Sequence, residues 1–163
     1  FQSTIQQSNS MLWFSERSLR LTASKAHMVK IRLRNFEKLV NDLLIQKPMY
    51  GKGLTNVKYG SQNEKIALQK YIHLYKQEVI DCGLVIHTLN PWLCASPDGI
   101  VLSNKKASKV LEIKCPVSCQ NKPIIDETGN LNLSYLIRGN NNTIELKKSH
   151  IYFTQCQILM YCC

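Results

Sequence analysis

Asp98, Glu112 and Lys114 are the residues of this chain whose types and spacing could carry out chemistry. Asp98 follows Pro97 at the mouth of an apolar run, Gly99 to Leu102, while Glu112 and Lys114 stand two apart in a second run, Lys109 to Cys115. Side chains of an extended chain alternate between faces, so Val110, Glu112 and Lys114 share one side and Leu111, Ile113 and Cys115 the other. The polar residues between the runs, Ser-Asn-Lys-Lys-Ala-Ser, form a turn of the length hairpins use. A hairpin centred near Lys105 sets position 98 opposite position 112, where cross-strand Cβ atoms are about 5 Å apart. Two carboxylates that close repel unless a proton or a cation neutralises them, and their hard oxygens suit Mg²⁺ or Mn²⁺ better than zinc. Lys114 beside them could orient or deprotonate a water. Plainer uses exist for each: Glu-x-Lys also decorates exposed strand faces, and Asp before Gly is a turn device.

The conjunction is more specific than its parts. Pro-Asp-Gly at 97 to 99, followed by Glu-Ile-Lys at 112 to 114 inside an apolar strand, resembles the PD-(D/E)XK nuclease signature. Ser-Pro-Asp-Gly-Ile-Val with Leu-Glu-Ile-Lys-Cys-Pro is similar, more narrowly, to the YqaJ-type viral recombinase family of lambda-type exonucleases. That resemblance implies an α/β domain of the restriction-endonuclease-like class, with a central mixed β-sheet flanked by helices. It also implies a metal-dependent deoxyribonuclease in which Asp98, Glu112 and the Ile113 carbonyl ligate Mg²⁺, with Mn²⁺ a plausible substitute, and Lys114 serves the attacking water.

Three further elements must position side chains around that pair. Met11 to Ala26 mixes aromatic and basic residues and ends in Thr-Ala-Ser. Arg17 with Ser24 could clamp a phosphate, since guanidinium binds phosphate in two parallel bonds and hydroxyls add donors; Arg17 could equally be a surface residue and Ser24 an N-cap. By the resemblance, Arg17, Ser24 and Ser96 hold the 5′-phosphate of a DNA end. Ser61 to Glu64 has capping-box spacing and opens a helix carrying Ala67, Tyr71, Leu74 and Tyr75 on one face. Tyr59, Gly60, Glu64 and Ala67 also fit a family pattern whose Glu contributes to the metal site. Ser149 starts an apolar helix with Tyr152, Gln155 and Leu159 on one face, where a buried glutamine amide without a partner costs about 1 to 3 kcal/mol. The family pattern Tyr-x-x-Gln-x-Gln assigns Gln155 to the active site, holding Lys114 or the nucleophile.

The remaining stretches are read as supports. Residues 1 to 10 are a loose start or a first helical turn, and Val29 to Gln46 is an amphipathic helix ending before Pro48. Gly51, Gly53 and Asn56 mark a flexible loop, Leu84 to Leu89 a strand, and Asn121 to Lys148 a variable polar excursion with room for one short helix. No pair of histidines sits at metal-binding spacing.

With 163 residues and 44% hydrophobic content, a single domain over 1 to 163 is expected. A net charge of +10 points to a polyanionic partner. No run approaches the roughly 18 apolar residues that span a membrane, and no secretory signal opens the chain. Its start without Met, and its stop at Tyr-Cys-Cys within an apolar helical pattern, suggest a fragment cut short at the C-terminus. The seven cysteines form an odd set without zinc spacing and read as small buried residues in a reducing, intracellular compartment. The resemblance adds double-stranded DNA ends, a homo-oligomer and a single-strand annealing protein as partners, and 5′ to 3′ digestion in viral or mobile-element recombination as the function. A catalytically inactive DNA-binding module, or an endonuclease or RNA nuclease with the same metal site, remains the alternative.

Overall fold

The computed structural model describes residues 2–45 and 50–163. In chain order these form helix α1 (Met11–Ser18), strand β1 (Leu21–Thr22), helices α2 (Ala26–Lys30), α3 (Phe36–Leu44) and α4 (Lys52–Tyr75), strands β2 (Glu78–Ile80), β3 (Val85–Ile86), β4 (Leu93–Ala95), β5 (Gly99–Ser103), β6 (Lys106–Leu111), β7 (Leu136–Arg138) and β8 (Ile144–Leu146), and helix α5 (Ile151–Cys162). They divide into two compact units, one drawn from residues 2–45, 77–112 and 154–163, the other from 50–76 and 113–153.

The first unit holds two three-stranded sheets, where the sequence suggested one central sheet. One is mixed, in the order β1-β4-β3, with β1 parallel and β3 antiparallel to β4; the other is antiparallel, in the order β2-β5-β6. Leu93, Cys94 and Ala95 of β4 are all buried, as a strand covered on both faces must be. Ala23, Ala95 and Leu159 pack together with Val110, Ile158 and Cys162, so α5 lies on the strands through its apolar stripe. The N-terminal segment is anchored, where the sequence suggested a loose start: Thr4 is fully buried and its hydroxyl accepts the Leu84 amide at 2.8 Å.

The hairpin β5–β6 carries the fold's most consequential irregularity. Its tip is the two-residue turn Asn104–Lys105, both at positive φ (50° and 61°), as the twist-matched hairpin turn requires. Ser103 pairs with Lys106 and Leu102 with Ala107, but Val101 pairs with Lys109, so Ser108 is an extra residue. Its hydroxyl donates to the Val101 carbonyl at 3.0 Å. A bulge of this kind shifts the register by one residue, and in a sheet that exchanges which side chains face one another.

Other boundaries also differ from the sequence reading. The expected helix from Val29 is two helices, because the chain turns at Asn35, in the left-handed region at φ 58°; its expected end at Gln46, before Pro48, lies outside the described residues. α4 begins at Lys52 after the N-cap Gly51, so Gly53 and Asn56 are helical and Ser61 and Glu64 lie in mid-helix. Glu64 is therefore not part of a capping box. Strand β3 is limited to Val85–Ile86, and β6 ends at Leu111, short of Cys115. Glu112 and Lys114 thus follow the ladder and do not sit within it.

In the second unit α4 accompanies the hairpin β7–β8, paired from Leu136 with Leu146 to Arg138 with Ile144. The polar excursion holds this hairpin and one 3-10 turn, Asn140–Asn142, with no α-helix among its residues. None of the seven cysteines forms a disulfide. Among the described residues no helix is long and apolar enough to cross a membrane.

Candidate active site

Asp98 is set by its backbone. Its amide donates to the Leu111 carbonyl at 3.1 Å, and Gly99, the first residue of β5, pairs with Leu111, the last of β6, so Asp98 and Glu112 both flank the same end of the ladder. The hairpin expected between the two apolar runs forms, but through a tight turn plus a bulge and not through a six-residue loop. Without the bulge, with Ser108 paired in the ladder, the same turn would have set Gly99 against Val110. Pro-Asp-Gly is not a turn: Gly99 opens β5, and a Cβ there would lie 2.6 Å from the Val79 side chain on β2. Gly99 is needed for strand packing, with no demand on φ. The loop before Asp98 is tied down by Gln7, whose amide donates to the carbonyls of Pro97 and Cys82, both at 2.9 Å. Gln7 is a supporting residue that the sequence reading missed, because nothing local marks a glutamine that acts ninety residues away.

Glu112 is held by Gln155. The Gln155 amide donates to Glu112 Oε1 at 2.6 Å, and Oε2 is shielded from solvent. The expectation that Gln155 needs a polar partner on its core-facing stripe is met by Glu112. Leu159, one turn further along the same face of α5, is 1% exposed and fixes the helix against the core. His27 and the buried Thr154 share a hydrogen bond at 2.8 Å, a second tie between α5 and the N-terminal region of this unit.

Arg17 and Ser96 come together as expected of a phosphate pocket. Arg17 Nη1 donates to Ser96 Oγ at 3.5 Å, and Trp13 Nε1 donates to the same oxygen at 2.8 Å. Arg17 also lies over the Trp13 ring, its Cζ 4.0 Å from the centroid. Burial pulls the Arg17 guanidinium below its usual pKa, although guanidinium stays charged at any working pH. Trp13 and Arg17, four apart on α1, share one helix face; that spacing is the signal by which Trp13 could have been found. A pocket of about 210 Å³ opens here, lined by Arg17, Trp13, Thr22 and Lys25 among others. Ser24 is more distantly involved: exposed, it shares a 3.1 Å hydrogen bond with Thr22 Oγ1. The parallel pairing of β1 with β4 sets Thr22 beside Cys94 and so runs toward Ser24 and Ser96.

The other expected site residues belong to the second unit. Glu64 lies on α4, half-buried. Ile113 and Lys114 follow Glu112 in the chain, and the Lys114 ammonium stands 5.2 Å from the centre of the Tyr152 ring. Among the described residues no group of three or more His, Cys, Asp and Glu side chains is arranged to hold a metal ion.

A mixed α/β chain with small sheets, an Asp and a Glu flanking the end of one hairpin and an arginine–serine contact is the class of protein defined to this point, and solved structures share its fold. The chain is similar to an alkaline exonuclease from Laribacter hongkongensis, with a TM-score of 0.64 and 24% identity over 94% of this chain and 68% of that one. It is similar also to that exonuclease in complex with dAMP, at a TM-score of 0.65 and 23% identity over the same shares. No curated protein matches the sequence. The chain belongs to the YqaJ-like viral recombinase domain family, whose pattern it matches over residues 12–163.

Proposed function

We propose that this chain is a Mg²⁺-dependent deoxyribonuclease that digests double-stranded DNA from its ends, 5′ to 3′, in viral or mobile-element recombination. The observation that carries the reading is the bulged hairpin, whose last pair, Gly99–Leu111, is flanked by Asp98 and Glu112 while Gln155 holds the second carboxylate. An exonuclease of the same fold that binds a nucleoside monophosphate agrees with it.

The donor set suits a hard divalent cation. Asp98 and Glu112 supply carboxylate oxygens, one of them shielded from solvent, and the Ile113 carbonyl is next in the chain; Mg²⁺ and Mn²⁺ prefer such oxygens. Glu64 is proposed as a further donor on the family pattern. When bound, the ion would polarise the scissile phosphate and lower the pKa of a water. Gln155 orients Glu112 by its amide hydrogen bond. Lys114 holds the attacking water or takes its proton. Arg17, Ser96 and Ser24 receive the terminal 5′-phosphate, the guanidinium through paired charge-assisted bonds. A homo-oligomer and a single-strand annealing protein are the partners this reading implies.

The test is degradation of linear duplex DNA with 5′-phosphate or 5′-hydroxyl ends, in Mg²⁺ or EDTA, by the native chain and by Lys114→Ala. Metal-dependent loss of the 5′-phosphorylated duplex, abolished in the variant, is the expected result. Cutting of closed circular DNA would convert the reading to an endonuclease. Binding without shortening would leave a DNA-binding module and end the nuclease reading.

A further inference from the structure

Lys114 is exposed, and an exposed lysine samples many rotamers unless something seats it. A group that handles an attacking water has to be held to within about 0.5 Å. The second unit contains a seat. The ring of Tyr152 lies 5.2 Å from the Lys114 ammonium, within the range over which a ring face attracts a cation. Tyr152 is itself braced on two sides. Its ring meets that of Tyr135 edge-on, centroids 5.0 Å apart at 84°, and that of His150 at 4.7 Å and 68°; Tyr135 and His150 stack on each other at 5.1 Å and 28°. The three rings close a triangle in geometries that aromatic pairs favour.

Backbone contacts fix the same triangle. The Lys147 amide donates to the Tyr135 carbonyl at 2.9 Å, the His150 amide to the Lys147 carbonyl at 2.9 Å, and the Tyr152 amide to His150 Nδ1 at 3.2 Å. Tyr135 enters from the residue just before β7, so the polar excursion at 121 to 148, the least informative stretch of the sequence, supplies one corner. Burial pushes the Tyr135 phenol up to about 12.

We propose that Tyr135 is a positioning residue for Lys114, acting with His150 to lock the Tyr152 ring beneath the ammonium. The role rests on the nuclease reading, and its test separates the two. Lys114 ε-CH₂ protons held over a ring should resonate upfield, the signal being assigned by its loss in Lys114→Ala. The native chain and Tyr152→Phe should show the upfield signal, Tyr152→Leu should lose it, and Tyr135→Leu should move it toward the random-coil position. On 5′-phosphorylated duplex in Mg²⁺, Tyr135→Leu should lower kcat roughly tenfold with KM unchanged, and Tyr135→Phe should restore it. A signal indifferent to Tyr135→Leu overturns the inference, as does a signal lost with kcat intact. If the native chain shows the upfield signal but never shortens DNA, the nuclease reading has failed and takes the positioning role with it, although the aromatic seat exists.

Discussion

At 2.6 Å from Glu112 Oε1, the Gln155 amide does for a shielded carboxylate what water does outside. Replacing it with leucine removes a donor from Glu112 Oε1, so Gln155→Leu should lose about 1 to 3 kcal/mol of stability in urea unfolding, together with most of the nuclease rate. Arg17→Lys keeps the charge but loses the planar fork and the stacking on Trp13. The preference for 5′-phosphate over 5′-hydroxyl ends should fall about tenfold or more, read as the ratio of initial rates on the two duplexes. For Tyr135, the folded phenol is raised from 10 to about 12. The neutral form is thus favoured in the fold, so its contribution to stability is complete below pH 10 and lost as pH rises through 12. Unfolding midpoints of the native chain should drop across that window more than those of Tyr135→Phe. Asp98, Glu112 and Gln155 were legible in the sequence because a charged or amide group in an apolar stretch demands a reason. Gln7, Trp13 and Tyr135 were not, since each acts through a partner far away in the chain or through a ring geometry that composition does not encode.

Among the elements, the hairpin β5–β6 invites the sharpest test. Lys105 holds φ 61°, a conformation that costs a residue with a Cβ about 1 kcal/mol and glycine little. Lys105→Gly should raise stability by about 0.5 to 1 kcal/mol, seen in the denaturant midpoint, with activity unchanged. Deleting Ser108 should instead leave far-UV circular dichroism near native and cleavage in place, because the pairs Leu102–Ala107 and Val101–Lys109 then follow one another in a regular ladder and every later pair keeps its partner. The sequence reading found this hairpin from apolar runs and a polar gap. It could not divide that gap into turn and bulge, since Ser108 looks like one more turn residue. Helix starts were harder. Gly51, Gly53 and Asn56 read as a loop by propensity, yet α4 passes through two of them, a reminder that propensity is a weak prior inside a folded chain.

For the whole molecule, the family was legible because its motifs are spread from Arg17 to Gln157 and keep their spacing. The partition into two units drawn from interleaved segments was not, as no shift in composition marks it. The charge of +10 is a property at this scale, and it sets an expectation for binding: the logarithm of DNA affinity should fall linearly with the logarithm of salt concentration, with a slope near −0.9 for each phosphate neutralised. A binding curve indifferent to salt would remove DNA as the polyanion. The bulge, finally, divides the chain's tolerance of change into two kinds. Pairs beyond Ser108 are blind to the length of the tip, so residues grafted between Asn104 and Lys105, a fluorophore-bearing peptide for instance, should leave cleavage untouched, whereas one residue gained or lost between Lys109 and Glu112 acts as an odd–even switch on the site. Related sequences that keep the chemistry should therefore drift freely in loop length at the tip and hold fixed the number of residues between the bulge and the Glu, which makes that number a criterion for sorting active members from inactive ones.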